Sequence, residues 1–371
     1  MQTDREIRCS SLDRYMKCPG FAQMTDLMPN ESGPAAEEGT AAGELLQAML
    51  EQRSLKPSVS NAAKNGVRFD SDMYYYLTPI AQEILSKNVA VNCEQRIDWN
   101  PCPGIAIRGQ FDIAYIDGDT LCIEDLKYGW KIVDVKENWQ LLGYAIGKLI
   151  QLNNNQMVSP NYIQFTIHQP RPHHEEGKSR VWKISLDDAH AYYQKIPHIM
   201  QEIVNGSREL KTGKHCKYCP AAANRCPAIN RSLYEGIDTV MYDFKQDDVN
   251  EQEIAKQLSF LTEVANIVKI KLDAMSDLAC LRMREGKVVP GYGMEEKFGD
   301  RSWKSDVTPE AIEFLTGKSI MEQVMLSPAK AEKLGVDKKL VAGLVERKFT
   351  GVKPVKKNFT ADAEKVFGRK E

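Results

Sequence analysis

Residues 109–144 read GQFDIAYIDGDTLCIEDLKYGWKIVDVKENWQLLGY. Two apolar runs, 105–116 and 121–126, flank Asp117-Gly118-Asp119, whose Asp-Gly step signals a tight β-hairpin. Asp112 lies in the first run and Asp125 in the second, so pairing of the two strands brings the acids together. Side chains alternate along a strand, which places Asp125 and Lys127 on one face. Further on, Gln140 and Tyr144 stand one helical turn apart in a run of helical character, 138–152.

This combination has a chemical reading. A phosphodiester is anionic, so its hydrolysis needs an activated water and neutralisation of the charge that develops. Carboxylates holding Mg²⁺ or Mn²⁺ supply both, and a lysine beside them stabilises the transition state. Two acids and a lysine also occur at ordinary solvated strand ends, so the triple alone decides little. Its setting says more: Asp125-Leu126-Lys127 closes a run containing Leu121 and Ile123, where charge is costly unless it is paired or holds metal.

Outward from the hairpin, 91–99 reads as a strand and 101–104 as a turn. Helices are expected over 34–52 and 70–88, and a short one starts from Ser10 or Ser11 and breaks at Pro19-Gly20. On the other side, 162–168 and 181–184 read as strands. A helix capped by Asp187 or Asp188 runs to 204, and 209–230 is irregular. The expected fold is α/β (α+β): a mixed central sheet flanked by helices over residues 1–230. Residues 231–371 then form a mainly helical second domain. Its positions 254, 258, 261, 265, 268, 272, 275 and 279 carry apolar or small residues at the spacing of a helical hairpin or coiled-coil seam. Its last stretch, 327–371, holds 12 Lys/Arg against 6 Asp/Glu, a basic tail.

A chain of 371 residues fits two domains, and 42% hydrophobic with 27% charged residues is an ordinary globular composition. The net charge of −2 leaves room for nucleic acid only through a local basic channel. No apolar run approaches the roughly 20 residues of a membrane span, and the N-terminus lacks the apolar core of a leader. A cytoplasmic protein with no membrane partner is expected, in which nine cysteines are thiols or metal ligands and not disulfides.

With these residues in view, the chain resembles the PD-(D/E)XK nuclease superfamily in its RecB-like branch, close to a phage-encoded subgroup. Gly109-x-x-Asp112, Asp125-x-Lys127 and Gln140-x-x-x-Tyr144 match that branch in order. The Asp125–Gly129 strand, the Asn138–Leu141 helix start and Gln169-Pro170-Arg171 match the subgroup. The resemblance covers residues 8–230 and, more weakly, the C-terminal region. It implies a restriction-endonuclease-like core and a Mg²⁺- or Mn²⁺-dependent deoxyribonuclease, an exonuclease before an endonuclease. Such an enzyme acts on DNA in phage replication or recombination beside a single-strand annealing or single-strand-binding protein, in the host cytoplasm. Asp112, Asp125 and the Leu126 carbonyl would hold metal, Lys127 would act on the water and the transition state, and Gln140 and Tyr144 would brace the site and contact DNA. One position departs from the pattern. RecB-like nucleases carry Gly-Thr-x-x-His in the early helix, with the His on metal; here Gly39-Thr40 is followed by Gly43, and Glu44 is the expected substitute.

Cys216-x-x-Cys219 with Cys226 suggests metal or redox chemistry. Cys18 is the natural fourth ligand, since Cys18-Pro19 repeats the form of Cys226-Pro227. The arrangement resembles the AddB-type iron–sulfur staple, with one cysteine before the core and three after. It implies a structural 4Fe–4S cluster, with zinc as the alternative. Cys122 reads as a buried strand residue.

Other candidates keep two readings each. His173-His174-Glu175-Glu176 is a metal cluster or a polar hairpin loop. Gln169 and Arg171 face the cleft, where Arg171 holds a phosphate, or they lie on the surface. Tyr292, Phe298, Arg301, Trp303 and Lys304 stack bases or pack the C-terminal core. Two rival functions also stand beside the nuclease: an inactive DNA- or partner-binding module on the same fold, which Gly43 favours, and a scaffold organised by the 254–279 helix.

Overall fold

The computed structural model describes residues 4–24, 34–155, 159–217, 219–243, 251–298, 302–303, 307, 309–317, 327–346 and 349–356. Among them, six strands form the central sheet: β1 (Arg5–Arg8), β2 (Val91–Cys102), β3 (Ile105–Asp117), β4 (Thr120–Leu126), β5 (Tyr162–His168) and β6 (Ser179–Ser185). The order is β1-β3-β4-β5-β6, with β2 on β3. β1 runs parallel to β3 and β4 parallel to β5, and the other pairs are antiparallel, so the sheet is mixed. Gly118, at φ 59°, closes the β3–β4 turn in a conformation that costs glycine nothing.

The register around β3 creates the position of the site. β2 pairs along one edge of β3, from Tyr115 to Ile105. The opposite edge is shared end to end: β1 covers Ile105 to Arg108 and β4 covers Ile113 to Asp117. Residues 109–112 lie in the gap, with one edge open. The helix α1 (Cys9–Lys17) leaves β1 at that point. A Cβ on Gly109 would stand 2.7 Å from Tyr144 Cε1 and 2.8 Å from Cys9 Sγ. Only glycine allows the backbone this approach.

Helices α2 (Pro34–Glu51), α3 (Ser71–Ser86), α4 (Trp139–Asn154) and α5 (Leu186–Val204) complete the domain. Two apolar layers result. Leu12 of α1, Leu141 and Leu142 of α4, and Ile196 and Met200 of α5 pack with Ile107, Phe111, Ile123 and Phe165 of the sheet. Leu45 and Met49 of α2 and Leu77 and Ile84 of α3 pack with Ile113, Tyr115 and Cys122. Each such side chain contributes about 1.5–3 kcal/mol by leaving water. The buried Cys122 agrees with its sequence reading. Asp70 caps α3 through the Met73 N–H. The cap of α5 differs from expectation: Ser185 in extended geometry takes the Asp188 N–H, while Asp187 and Asp188 lie in the first turn, where negative charge suits the helix dipole. β1 was not anticipated, because four residues carry too little alternation to read.

The C-terminal region is mainly helical, with α6 (Pro227–Asp243), α7 (Glu251–Arg284), α8 (Pro309–Thr316), α9 (Pro328–Lys333) and α10 (Lys338–Leu344). It also holds two small sheets the sequence did not announce. β7 (Tyr292–Phe298) pairs antiparallel with β10 (Phe349–Lys356), and β8 (Ser302–Trp303) with β9 (Val345–Glu346). Helix α6 runs straight across the boundary expected at residue 230. Ile267, Ile270 and Ala274 of α7 pack against Cys216, Cys226 and Ile229. The expected seam of α7 instead faces solvent: Ile254, Leu258, Leu261, Val268, Leu272 and Met275 are 42–63% exposed. Of the aromatic-basic patch, Tyr292 begins β7, and Arg301 and Lys304 lie outside the described residues, as does the tail beyond 356. No described helix is long and apolar enough to cross a membrane.

Candidate active site

Three strand positions line up across the sheet. The pair Ile113↔Glu124 puts Asp112 and Asp125 opposite each other as the next step of the β3–β4 ladder. The pairs Cys93↔Ile113 and Gln95↔Phe111 put Glu94 of β2 opposite Asp112. Glu94, Asp112 and Asp125 therefore form one row over three adjacent strands. Opposed like charges destabilise a sheet, and the carboxyl groups register it. Burial first, and then the charge of Asp125, push the Asp112 carboxyl well above its ordinary value. Burial likewise raises Glu94 against the bond it receives from Gln110, with the charges of Asp125 and Glu44 adding to the rise.

The expected residues around Asp125 come together. Asp112 Oδ2 accepts the Leu126 N–H at 2.7 Å, which ties β3 to β4 where the ladder ends. Asp125 is 1% exposed. Its Oδ1 accepts from Gln140 Nε2 at 3.3 Å, and Gln140 also donates to Tyr144 Oη at 2.8 Å. Its Oδ2 lies 2.7 Å from Lys127 Nζ as an ion pair, yet no hydrogen bond of proper geometry reaches that oxygen. Burial alone would lower the Lys127 ammonium; the carboxylates of Asp125 and Asp112 outweigh it and hold it above the ordinary lysine value. Gln140 is aimed by its helix start: Asn138 caps α4 by accepting the N–H groups of Gln140 and Leu141. Tyr144 is 5% exposed, so it buttresses Gln140 from below, and the DNA contact expected of it is not available.

The space beside position 43 borders Glu94. A Cβ built on Gly43 meets only Glu94 Oε1, at 4.0 Å. Glu94 holds φ 50°, a left-handed conformation inside a strand, which costs a non-glycine residue about 1–3 kcal/mol. Gln110 Nε2 donates to its Oε2 at 2.5 Å. Glu44, the expected substitute ligand, sits close enough to charge Glu94, but its Oε2 accepts the Lys64 N–H at 3.0 Å. Sequence reading overlooked Glu94. Counting back from a 101–104 turn sets residue 94 opposite residue 111; the register shift between Trp99 and Cys102 is what moves it opposite Asp112, and no local pattern encodes that shift.

The chemistry of this donor set suits a hard divalent cation: carboxylate oxygens at fixed separation, the Leu126 carbonyl beside them, and a buried Asp125 oxygen held only by its ion pair with Lys127. Among the described residues, no three His, Cys, Asp or Glu side chains already close around a metal-sized point. Lys127 and Gln140 are drawn onto Asp125 instead, and an ion would compete with them for it.

Cys18, Cys216, Cys219 and Cys226 line one small cavity, walled also by Phe21, Met24 and Leu210. Burial raises the thiols of Cys18, Cys216 and Cys219, and the neighbouring cysteines add to the rise. Cys216 Sγ points to the Lys211 carbonyl at 3.8 Å and Cys18 Sγ to that of Glu209 at 4.0 Å. Four thiols lining one space are the soft donor class that takes zinc or an iron–sulfur cluster, although among the described residues the sulfurs do not already close around one metal-sized point.

Other candidates fall away from the cleft. Arg171 is neutralised by Glu38, at 2.8 and 3.3 Å, and lies over Tyr128 and Trp130, so its fork is spent within the protein and not on a phosphate. Gln169 is buried, accepting from Val133 and Arg180 and donating to Lys131, and it braces the loop after β4. His173 and His174 lie in the β5–β6 hairpin, where His174 accepts the Glu176 N–H.

A family model described as a protein of unknown function, DUF2800, matches residues 6–361. The chain belongs to the DUF2800 family. Among solved structures, this DUF2800 protein is similar to SSO0001, with 14% identity, a TM-score of 0.24 and coverage of 58% of this chain and 95% of that one. It is also similar to an alkaline exonuclease (LHK-Exo) from Laribacter hongkongensis, with 14% identity, a TM-score of 0.23 and coverage of 53% and 92%. At these scores neither likeness carries the functional argument, which rests on the site.

Proposed function

We propose that this DUF2800 protein is a metal-dependent nuclease that hydrolyses DNA phosphodiesters at Asp112, Asp125 and Lys127. One observation carries the reading: a buried aspartate, paired with a lysine two residues on, stands opposite a second aspartate at the open edge of β3. Mg²⁺ or Mn²⁺, when bound, supplies Lewis acidity and a water of lowered pKa. Asp112, Asp125 and the Leu126 carbonyl would hold the ion. Gln140 keeps Asp125 oriented, and Tyr144 fixes Gln140. Lys127, 28% exposed, presents a positive charge at the mouth of the site, where it meets phosphate oxygens as charge builds on them.

The finer reading comes from the RecB-like resemblance: an exonuclease working on phage DNA in replication or recombination, beside a single-strand annealing or single-strand-binding protein. The cysteine end would hold a 4Fe–4S cluster, or zinc, as a structural staple. A second reading, a DNA-binding module without activity, is favoured by Gly43 in place of a ligand.

End-labelled linear DNA incubated with Mn²⁺ separates these readings. Wild-type protein is expected to degrade it, and Lys127→Ala to lose about 10²–10³ of the rate. No degradation by wild type with Mg²⁺ or Mn²⁺ removes the enzyme and leaves the module. Equal degradation by both proteins moves the active centre elsewhere.

A further inference from the structure

We infer that Glu94 is a third carboxylate ligand of the metal site, standing in the space that a side chain at position 43 would otherwise fill. The inference rests on the nuclease reading and extends it to a residue outside every motif that suggested it.

Three independent observations converge. The first is register. Glu94, Asp112 and Asp125 occupy one row across β2, β3 and β4, held in place by the pairs on either side. Three acids in one row repel one another unless a cation or a proton neutralises them, and Lys127, the cation paired there, is already engaged by Asp125. The second is the environment of Asp125. Its Oδ2 is buried and receives no hydrogen bond of proper geometry; the Lys127 ammonium at 2.7 Å is its ionic partner. The third is the backbone. Glu94 accepts a left-handed φ of 50° within β2. Its Oε1 comes within 4.0 Å of the point where Gly43 would carry a Cβ. Gln110 orients the carboxylate by holding Oε2, leaving Oε1 toward that space.

Gly43 and Glu94 are thus complementary. A bulky side chain at 43 would meet the Glu94 carboxylate, and the absence of one gives Glu94 its room. Glu44 lies nearby but is tied to the Lys64 N–H, which holds one of its oxygens away from the row. The ligand class is a hard divalent cation bound through oxygen, Mg²⁺ or Mn²⁺, and not a soft thiophilic metal.

The test is Mn²⁺ binding by titration calorimetry and electron paramagnetic resonance, with no DNA present. Wild type, Asp112→Asn, Glu94→Gln and Glu44→Gln are compared, each checked for fold by circular dichroism. Glu94→Gln is expected to weaken Mn²⁺ binding at least about tenfold. It should also melt no earlier than wild type in EDTA, because it removes a repelled charge. A purely structural Glu94 would do the reverse, melting earlier while binding Mn²⁺ as before. Gly43→His combined with Glu94→Ala supplies a second arm: an imidazole from position 43 enters the vacated space and should recover Mn²⁺ affinity over Glu94→Ala alone. If Asp112→Asn abolishes binding while Glu94→Gln binds like wild type, Glu94 is no ligand and the nuclease reading stands. The same holds if Glu44→Gln alone loses affinity. If wild type binds no Mn²⁺, both readings fall together.

Discussion

Adjacent carboxylates on β4 are managed in opposite ways. Glu124 faces the α2–α3 layer, where His168 Nε2 lies 2.8 Å from one oxygen and Tyr115 Oη donates to the other at 2.6 Å. Burial alone would raise its carboxyl, but the bonds from His168 and Tyr115 and the charge of Lys87 hold it below the usual range. The unfolded chain therefore binds more protons than the folded one in the acid window, and this stabilisation is lost as pH falls through it. His168→Ala strips one partner from a buried carboxylate. It is expected to cost at least about 1–3 kcal/mol in urea unfolding at neutral pH, with less loss once the pH has fallen through the lowered Glu124 value and the carboxylate is neutralised in either protein. An unchanged midpoint would mean that water replaces the imidazole. Asp125, on the other face, has only the Lys127 ammonium, at 2.7 Å and out of proper hydrogen-bond geometry, on its second oxygen. The second residue-scale test is Gly109. Its added Cβ would press on Tyr144 and Cys9, so Gly109→Ala should lose about 1–3 kcal/mol by overpacking. Because Tyr144 holds Gln140, nuclease rate should fall further than stability alone explains. Equal stability of the two proteins in urea would show that α4 yields without cost.

At the scale of elements, legibility tracked the physics that places each one. The β3–β4 hairpin was readable because the Asp-Gly turn signal falls between two apolar runs, and α2 because strong helix formers fill it. Helix α7 was found but its faces were not. The apolar stripe 254–258–261–268–272–275 is the regular one in sequence, yet it points to solvent. The buried stripe lies one residue away, about 100° around the helix, with Val264 against Gly236 of α6 and Ile267, Ile270 and Ala274 against the cysteine end. Periodicity reports that a helix is amphipathic, and when two neighbouring stripes are both apolar it does not say which one is covered. Leu258→Ala and Leu272→Ala are therefore expected to shift stability by no more than about 0.5 kcal/mol. Ile267→Ala, half-buried, should lose on the order of 1–2 kcal/mol, short of the 2–5 of a full core truncation. Thermal melts in parallel decide it, and a larger loss from Leu258→Ala would reverse the assigned faces. β7 and β10 escaped notice for another reason: they pair across some fifty residues, and no local pattern encodes a long-range partner.

For the whole molecule, the decisive contacts are those between ends of the chain. Arg14 of α1 donates to the Lys217 carbonyl, Gly20 N–H to that of Glu209, and Gln23 to those of Gly206 and Ser207. Cys18 thereby meets Cys216, Cys219 and Cys226, and the inner stripe of α7 closes over the same spot. Spacing made the cysteines legible as a set. The docking of α7 on them was not, because nothing in a motif says what packs behind it. A metal held by all four sulfurs would tie residue 18 to residue 216 and remove the entropy of a loop of about 200 residues. On the chain-entropy scale for cross-links that is on the order of 5 kcal/mol. The thiols of Cys18, Cys216 and Cys219 are raised by burial and by the neighbouring cysteines, so in the metal-free state these three are neutral and contribute only packing. Two consequences follow for protein purified without oxygen. Wild type should carry iron or zinc in stoichiometric amount by elemental analysis, with absorbance near 400 nm if the metal is iron. Cys18→Ser should lose that metal and melt well below wild type, while Cys93→Ser, a half-buried cysteine away from this cavity, should keep the metal. Because Arg14, Gly20 and Gln23 still bridge the two ends, Cys18→Ser should fold and retain Mn²⁺ binding at the Asp112–Asp125 site at low temperature. Full metal content in Cys18→Ser would leave the staple to the three later cysteines, and wild type without metal would reduce the cavity to an apolar contact between the ends of the domain.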